Sequence, residues 1–514
     1  MAAATVVVAR RRGLDPAPFL AALPAGARPA VPVDGADAAD LAPVPVERWG
    51  PWLPGLVREE ATTSGRRRGE GIHHTPPEVA VRVLELVERH TDVLARATPV
   101  IGDPAVGGGA FLLAALAAVV GRGADTARRR HRLAETVVGA DTDPLAVATT
   151  RLALGLWAGR PVRAPGLVVG DFTETGFVRR PDLIVGNPPF RTPQRRATGR
   201  SAERRARLVA RWPELDALSD DAVVFWRACL DAVAEGGTLA LVQPTSVMGA
   251  AGAEAVRRLT HRRARLVAAW IPGCRLFAAA VDVWVPIAVQ HPGGPAAVGE
   301  TTVARHLGWP PDEPVAVRLA DPGTWAGLDP VADAAPRPDP AEGPTLGDVA
   351  RVVAGHRDQF YGLRAAVRDD PGAGPRLVTS GLIDPWVCRW GRRRARYDRR
   401  VWATPTVDLA AVPAAIDPWV RARLVPKVVV ASQTRVVEAA VDADGCWVPS
   451  TPVVSIEPHP GGPDPWMVAA AVASPASAAR VVRAAAGTGL SPGSIRVNRG
   501  AVAALPAPLD SPRW

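Results

Sequence analysis

Four apolar runs in this chain each end on a side chain that can accept a hydrogen bond. "TPVIGD" ends on Asp103, "TVVGAD" on Asp141, "GLVVGD" on Asp171 and "DLIVGN" on Asn187. Ligands of open α/β sheets bind outside the carboxyl ends of the strands, so four such endings in succession describe a site better than four unrelated loops. Asp141 stands where doubly wound folds put the carboxylate that accepts ribose hydroxyls. Its distance from the preceding glycine turn is longer than usual, and the insertion "GRGADTARRRHR" accounts for the difference. Either Asp141 or Asp143 can also cap the helix that follows, and both readings hold if each aspartate takes one role. Asp171 can accept from an exocyclic amine with Phe172 packed on a purine ring; a plain turn aspartate is the alternative.

Three further motifs surround these endings. "IGDPAVGGGAFLLAAL" follows a strand and opens a helix, and Gly107, Gly108 and Gly109 allow close approach of the backbone to a ligand. No Lys-Ser/Thr pair follows, which argues against a triphosphate loop. In "HHTPPEV", Thr75 is expected to cap a helix with Pro76 at its first position and Glu78 closing a capping box. The free helix N-terminus would suit a carboxylate ligand. His73 and His74 have no matching ligand cluster and are read as non-metal residues. "NPPF", Asn187 to Phe190, is a poor continuation for a strand or a helix, because two prolines remove backbone donors.

The elements that must hold these residues are legible in outline. Between about residues 71 and 295, strand-like and helix-like segments alternate, as in an α/β domain. The expected strands include the four runs above and "TLALVQP", "RLVAAWI" and "VWVPIAV". The expected organisation is an N-terminal extension (1–70), a catalytic domain (71–318), a linker (319–344) and a second domain (345–514). The net charge of +10 suits a polyanionic partner, although the arginine richness is partly compositional. The longest apolar run, "AFLLAALAAVV", is too short to cross a bilayer. The N-terminal order, an apolar run before charges, is wrong for a secretory signal. Cys229, Cys274, Cys388 and Cys446 form no CxxC, so neither disulfides nor zinc are expected. The expected setting is cytoplasmic, with no membrane and no metal.

Taken together, "TPPEV", "DPAVGGGAFL", "GADTDP", "VVGDF" and "NPPF", in this order, resemble the amino-methylating DNA methyltransferases of the gamma group. The resemblance is good over about residues 45–295 and looser over 345–514. It implies a Rossmann-like S-adenosylmethionine-dependent methyltransferase domain, followed by a mixed α+β target recognition domain that binds double-stranded DNA. By position, Thr75 and Pro76 would lie near the methionine end of the cofactor. Asp103, Pro104, Ala105, Gly107, Gly109 and Phe111 would line the turn beside it. Asp141 would bind the ribose, and Asp171 and Phe172 the adenine. Asn187, Pro188, Pro189 and Phe190 would meet the target base, with Phe277 as a second aromatic beside it. Val106 stands where the family commonly has Cys, and Phe190 where it often has Tyr.

The implied reaction explains these residue types. An aromatic exocyclic amine is a poor nucleophile because its lone pair is delocalised into the ring. The Asn187 side-chain oxygen and the Pro188 carbonyl would each accept one amine hydrogen, a contact that strengthens in the transition state. The prolines would keep that carbonyl rigid, and Phe190 would stack on a base taken out of the duplex. Arg191, Arg195 and Arg196, just after this turn, could reach phosphates. So could Arg392, Arg393 and Arg394 in "WVCRWGRRRARYDRRVW", where arginines interleave with aromatics. The expected function is N6 methylation of adenine in a short sequence. Cytosine N4 methylation, protein glutamine methylation and a non-catalytic recognition subunit are the alternatives. No nuclease pattern is present in residues 1–70, so a restriction role would need a separate endonuclease or specificity subunit.

Overall fold

A computed structural model describes residues 2–23, 50–60, 75–190, 201–216, 219–277, 281–294, 300–336, 343–355, 357–485 and 494–507. The chain divides into two compact units, one formed mainly by residues 1–325 and the other mainly by residues 326–514.

The first unit is built on a sheet with β1 (Ile101–Asp103), β2 (Val138–Asp141), β3 (Leu167–Val169), β4 (Leu183–Gly186) and β5 (Thr238–Leu241). The short β6 (Gln243–Pro244) follows, then β7 (Ala264–Ile271), β8 (Val283–Gln290), β9 (Thr301–Leu307) and β10 (Val315–Leu319). The order across the sheet is β10-β9-β7-β8-β5-β4-β1-β2-β3. Strands β3, β2, β1, β4 and β5 are mutually parallel, and β8 runs antiparallel between β5 and β7. All seven strands expected from sequence are present, and the mixed sheet has a reversal of strand order between β1 and β4. Parallel strands covered on both faces read as continuous apolar runs, which is why they stood out. Strands β9 and β10 are less legible in sequence: the buried Arg305 and His306 interrupt the apolar pattern of "TTVARHL", and "VAVRL" carries the exposed Arg318.

The helix Ala110–Gly121 is almost wholly apolar and buries eight residues, with the stripe Val79, Val83, Leu86 and Val87 of helix Pro77–His90 in the same core. The far end of helix Pro77–His90 is tied down by His90, whose Nε2 lies 2.8 Å from His306 Nε2, and by an Arg89–Glu313 pair. Residues 2–23 and 50–58 also belong to this unit. Ala4, Val8, Phe19 and Leu53 form a small core with Leu152 and Leu156 of helix Pro144–Ala158.

Residues 319–336, expected to be linker, are instead ordered structure. Trp325 is buried at 1% exposure, donates through Nε1 to His261 Nε2 at 2.8 Å and packs edge-on against Trp226 and Trp284. Helix Pro330–Ala334 follows with Ala332 buried. Ala, Pro and Asp dominate this stretch, and composition alone hid the few side chains that dock it.

The second unit is mixed α+β. One antiparallel sheet joins Ala350–Ala354, Val454–Pro458, Lys427–Val430 and Ala439–Asp442, and its apolar cluster takes in helices Pro465–Ala473 and Pro475–Ala485. A second small sheet joins Val367–Arg368, Thr406–Val407, Arg376–Val378 and Trp447–Pro449. Two hairpins, Ile383–Asp384 with Val387–Cys388 and Ala395–Tyr397 with Arg400–Trp402, carry the arginine-rich segment.

The chain's single lysine, Lys427, is fully buried and paired with Asp442, which also accepts from the amides of Cys446 and Trp447 at 3.0 and 2.9 Å. Removing one partner of a buried pair strands the other charge, at a cost of about 3–5 kcal/mol. Lys427→Ala is therefore expected to lower the unfolding free energy by about that amount in denaturant titration. Amine-directed labelling of the folded wild type should stop at the N-terminal amine.

Candidate functional site

The site grows from the reversal of strand order, where β1 and β4 pair in register Ile101 to Leu183 and Gly102 to Ile184. Asp103 ends β1 at 1% exposure, and its Oδ1 accepts from the Ala105 amide at 2.9 Å. Gly186, the last residue of β4, lies directly against it. A Cβ at Gly186 would stand 2.5 Å from Asp103 Oδ1, so only glycine leaves room for the carboxylate. Burial pushes the Asp103 carboxyl up to about 7; the Ala105 amide opposes that rise and the nearby Asp141 adds to it.

From Asp103 the chain makes the glycine turn. Gly107 and Gly109 have φ of +52° and +83°, left-handed values that side chains with a Cβ rarely adopt, and Gly109 leads into helix Ala110–Gly121. Asp141, at the end of β2, reaches back to this turn. Its Oδ2 accepts from the Gly107 amide at 3.0 Å and its Oδ1 from the Asp143 amide at 2.9 Å. Burial raises the Asp141 carboxyl, while the two amides and Arg58 hold it down. Asp143 is the cap of the next helix, accepting from the Leu145 amide at 2.8 Å. Asp143 therefore takes the capping role, while Asp141 ties the glycine turn to the start of that helix.

Three contacts of the site come from the N-terminal residues and have no signal in sequence. Gly55 of helix Leu53–Glu60 touches Gly108, where a Cβ would come within 2.7 Å of Gly55 Cα. Arg58 of the same helix pairs with Asp143 at 2.5 Å, and Trp52 Nε1 donates to Ala110 O at 3.4 Å. A helix that carries glycine at its contact point can lie on a glycine turn, and neither stretch announces the other.

Asn187 follows Gly186, and its Nδ2 donates to Thr75 Oγ1 at 3.2 Å. The expected capping box is not formed. Helix Pro77–His90 starts one residue later than expected, with Pro76 as its cap and Pro77 in its first turn. Proline has no polar side chain with which to cap, and the Thr75 hydroxyl holds the Asn187 amide instead. Pro188 is buried, Pro189 and Phe190 half-buried, and Phe190 packs against the apolar cluster that also contains Phe277 and Phe111. Pro104 is buried and Ala105 half-buried within the turn.

Asp171 caps the short helix Phe172–Thr175, accepting from the Thr173 amide at 3.0 Å and its hydroxyl at 2.7 Å, and forms an ion pair with Arg204 of helix Ala202–Arg211. Phe172 is 3% exposed against Phe177 and Phe225, with centroids at 4.5 and 6.0 Å. Its ring is packed between these two aromatics. Arg191, Arg195, Arg196, His73 and His74 lie outside the described residues. Arg392, Arg393 and Arg394 lie in the second unit and are exposed; Arg393 is held by Asp384 through two bonds of 2.8 Å. Among the described residues, no group of three or more His, Cys, Asp or Glu could hold a metal ion, and no helix is long and apolar enough to cross a membrane.

The donor set suits a ligand that brings hydroxyl or amino hydrogens and a positive charge. The glycine turn lets the backbone come close, and two carboxylates end the adjoining strands. A primary amide and a rigid proline carbonyl stand on the other side of Asp103. The arrangement can bring an amine held by Asn187 to a ligand held beside the glycine turn.

Residues 54–272 match the family model described as N-6 DNA Methylase. No curated protein matches the chain in sequence. Among solved structures, the type IIL restriction-modification enzyme MmeI, determined in complex with DNA, shares the fold. Its TM-score is 0.56 at 13% identity, over 92% of this chain and 73% of that one. DrdV in complex with DNA gives a TM-score of 0.48 at 17% identity, covering 66% of this chain and 40% of that one. The type IIG restriction endonuclease BpuSI gives 0.44 at 14%, covering 89% and 60%.

The buried Asp103 carboxyl makes stability depend on pH. Below about pH 4 both the folded and the unfolded chain hold this proton. Between about pH 4 and about pH 7 only the folded chain holds it, so stability falls as pH rises, and above that window the contribution is flat. Asp103→Asn keeps the acceptor for the Ala105 amide and removes the titration. Thermal melts from pH 4 to pH 8 should show the advantage of wild type over Asp103→Asn shrinking across the window, then levelling off.

Proposed function

We propose that this chain is a site-specific DNA methyltransferase that moves a methyl group from S-adenosylmethionine to the exocyclic N6 amine of an adenine turned out of the duplex. The N-6 DNA methylase match over residues 54–272 supports the reaction. The observation that carries the assignment of the site is Asn187, at the end of β4 beside the buried Asp103, with its amide held by Thr75. The order of motifs supports membership of the gamma group and a target recognition domain in residues 345–514.

In this reading Asp103, Pro104, Ala105, Gly107, Gly109 and Phe111 form the wall for the methionine part of the cofactor, with Thr75 and Pro76 nearby. Asp141 accepts from the ribose hydroxyls, exchanging its bond to the Gly107 amide for them. Asp171 accepts from the adenine amine. When bound, S-adenosylmethionine supplies an electrophilic methyl group on a sulfonium. The chain's own contribution is to make the target amine nucleophilic. The Thr75 hydroxyl takes the donor end of the Asn187 amide, which fixes Oδ1 as the end that accepts from substrate. The Pro188 carbonyl takes the second amine hydrogen, and Pro189 keeps that carbonyl from rotating away. With both hydrogens held, the nitrogen turns toward a tetrahedral shape and its lone pair becomes available. Phe190 and Phe277 flank the base, and stacking of about 1–3 kcal/mol offsets much of the cost of extrusion. The oxygen of an amide and a carbonyl are both neutral acceptors, so they hold the amine without taking its proton before attack.

Modified-base sequencing of DNA from a methylation-free host expressing the chain should show N6-methyladenine at one recurrent sequence. N4-methylcytosine would keep the mechanism and change the base; the absence of any modified base would overturn the reading. Asn187→Ala should retain cofactor binding by calorimetry and lose about 100-fold or more in rate, as when one preorganised polar contact is deleted. Changing Arg392, Arg393 and Arg394 together to alanine should weaken DNA binding and flatten its salt dependence, because phosphate contacts release counterions. An unchanged salt slope would put the DNA elsewhere.

A further inference from the structure

The arginine-rich segment holds three tryptophans, and the fold uses them differently. Trp390 donates through Nε1 to Pro405 O at 2.8 Å and lies under the Arg376 guanidinium, 4.8 Å from its ring centroid. Trp402 donates to Tyr397 O at 3.1 Å and packs against the apolar cluster around Leu363 and Leu377. These two are structural. Trp386 stands at the tip of the hairpin Ile383–Asp384 with Val387–Cys388 and is 47% exposed.

Its backbone is unusual. The loop is two residues long, Pro385 and Trp386, and Trp386 has φ of +67°. Proline followed by a left-handed residue is the pattern of a type II turn, whose second position favours Gly or Asn. A bulky L side chain there is strained, and an indole left half in water recovers little burial in return. The turn is nevertheless held firmly. The Trp386 amide donates to Ala439 O at 2.8 Å, and Asp384 is clamped by Arg389 and Arg393 at 2.8 Å each. A strained residue fixed by rigid surroundings is a common mark of a functional position. The neighbourhood is cationic and partly apolar: Val387 is 37% exposed, and Arg392, Arg393 and Arg394 follow on the surface.

We propose that Trp386 is a base-stacking residue of the recognition unit, its indole pressed against the bases of the target duplex while the nearby arginines take phosphates. This rests on the reading of the chain as a DNA methyltransferase. The charge around the hairpin selects a polyanion, and an aromatic plane offered on a rigid turn suits the faces of bases or an opened base step. A proline-led turn also loses little freedom when it docks.

The test uses the full chain and a duplex bearing the sequence that the wild type methylates. Trp386→Gly removes the indole and suits the left-handed backbone, so its melting temperature should equal or exceed that of wild type. Its DNA affinity should fall about tenfold or more, the loss expected for one stacked base. The slope of log Kd against log salt should stay unchanged, because no phosphate contact is lost. Trp386→Phe should recover most of the affinity. Wild-type affinity in Trp386→Gly, or a loss that appears as a reduced salt slope, would overturn the stacking role. Methylation by the wild type together with full binding by Trp386→Gly would remove this inference alone. A wild type that neither binds nor methylates DNA would remove the reading it rests on as well.

Discussion

A carboxylate with 1% exposure stands where the parallel strands reverse their order, and the surrounding chain is shaped to keep it there. Gly186 on β4 makes room for Asp103, and Gly139 on β2 leaves room for Val106 and the Asp103 carbonyl, each where a Cβ would collide. Burial raises the proton affinity of the group until it titrates near neutrality. Asp141 sits close enough to add to that rise, so a ligand bringing a positive charge to this corner is favoured by both carboxyls. The glycine turn follows from the same constraint. A chain leaving a buried strand end and entering a buried helix within a few residues needs backbone angles that Gly107 and Gly109 supply.

The position of Asn187 is fixed from two directions. It follows directly on the last residue of strand β4, and Thr75 just before helix Pro77–His90 holds its amide. That helix is anchored at its other end through His90 and His306 of strand β9. Preorganisation here is a property of the core as much as of the turn. An amide held in place by its own fold needs no rearrangement before it can accept a hydrogen bond.

The second unit separates its charges by task. Its interior satisfies a few fully buried pairs, Lys427 with Asp442 and Arg423 with Glu457, with backbone amides completing the coordination of Asp442. Its hairpins present arginines outward on short, tight turns. The hairpin Ala395–Tyr397 with Arg400–Trp402 turns through Asp398 and Arg399, both at positive φ, and Asp398 pairs with Arg364.

The sequence by itself determined the α/β alternation, the seven strands first identified and the polar residue at the end of each of the first four, because these depend on local periodicity and on strand ends marked by Asp or Asn. It also carried the glycine turn, which must be encoded where it occurs. Tertiary structure decided which polar residue serves which partner. Thr75 reads locally as a helix cap and turns instead to Asn187, since Pro77 in the first turn shifts the start of the helix. Phe172 reads as a ligand-facing aromatic and is drawn inward by Phe177 and Phe225. The N-terminal helix reads as an extension and lies on the glycine turn through Gly55 and Gly108, more than fifty residues apart. Trp325 reads as linker and is among the most buried side chains. The contacts of Thr75 with Asn187, Phe172 with Phe225, Gly55 with Gly108 and Trp325 with His261 join residues distant in sequence, and no local pattern records how closely two remote surfaces will meet.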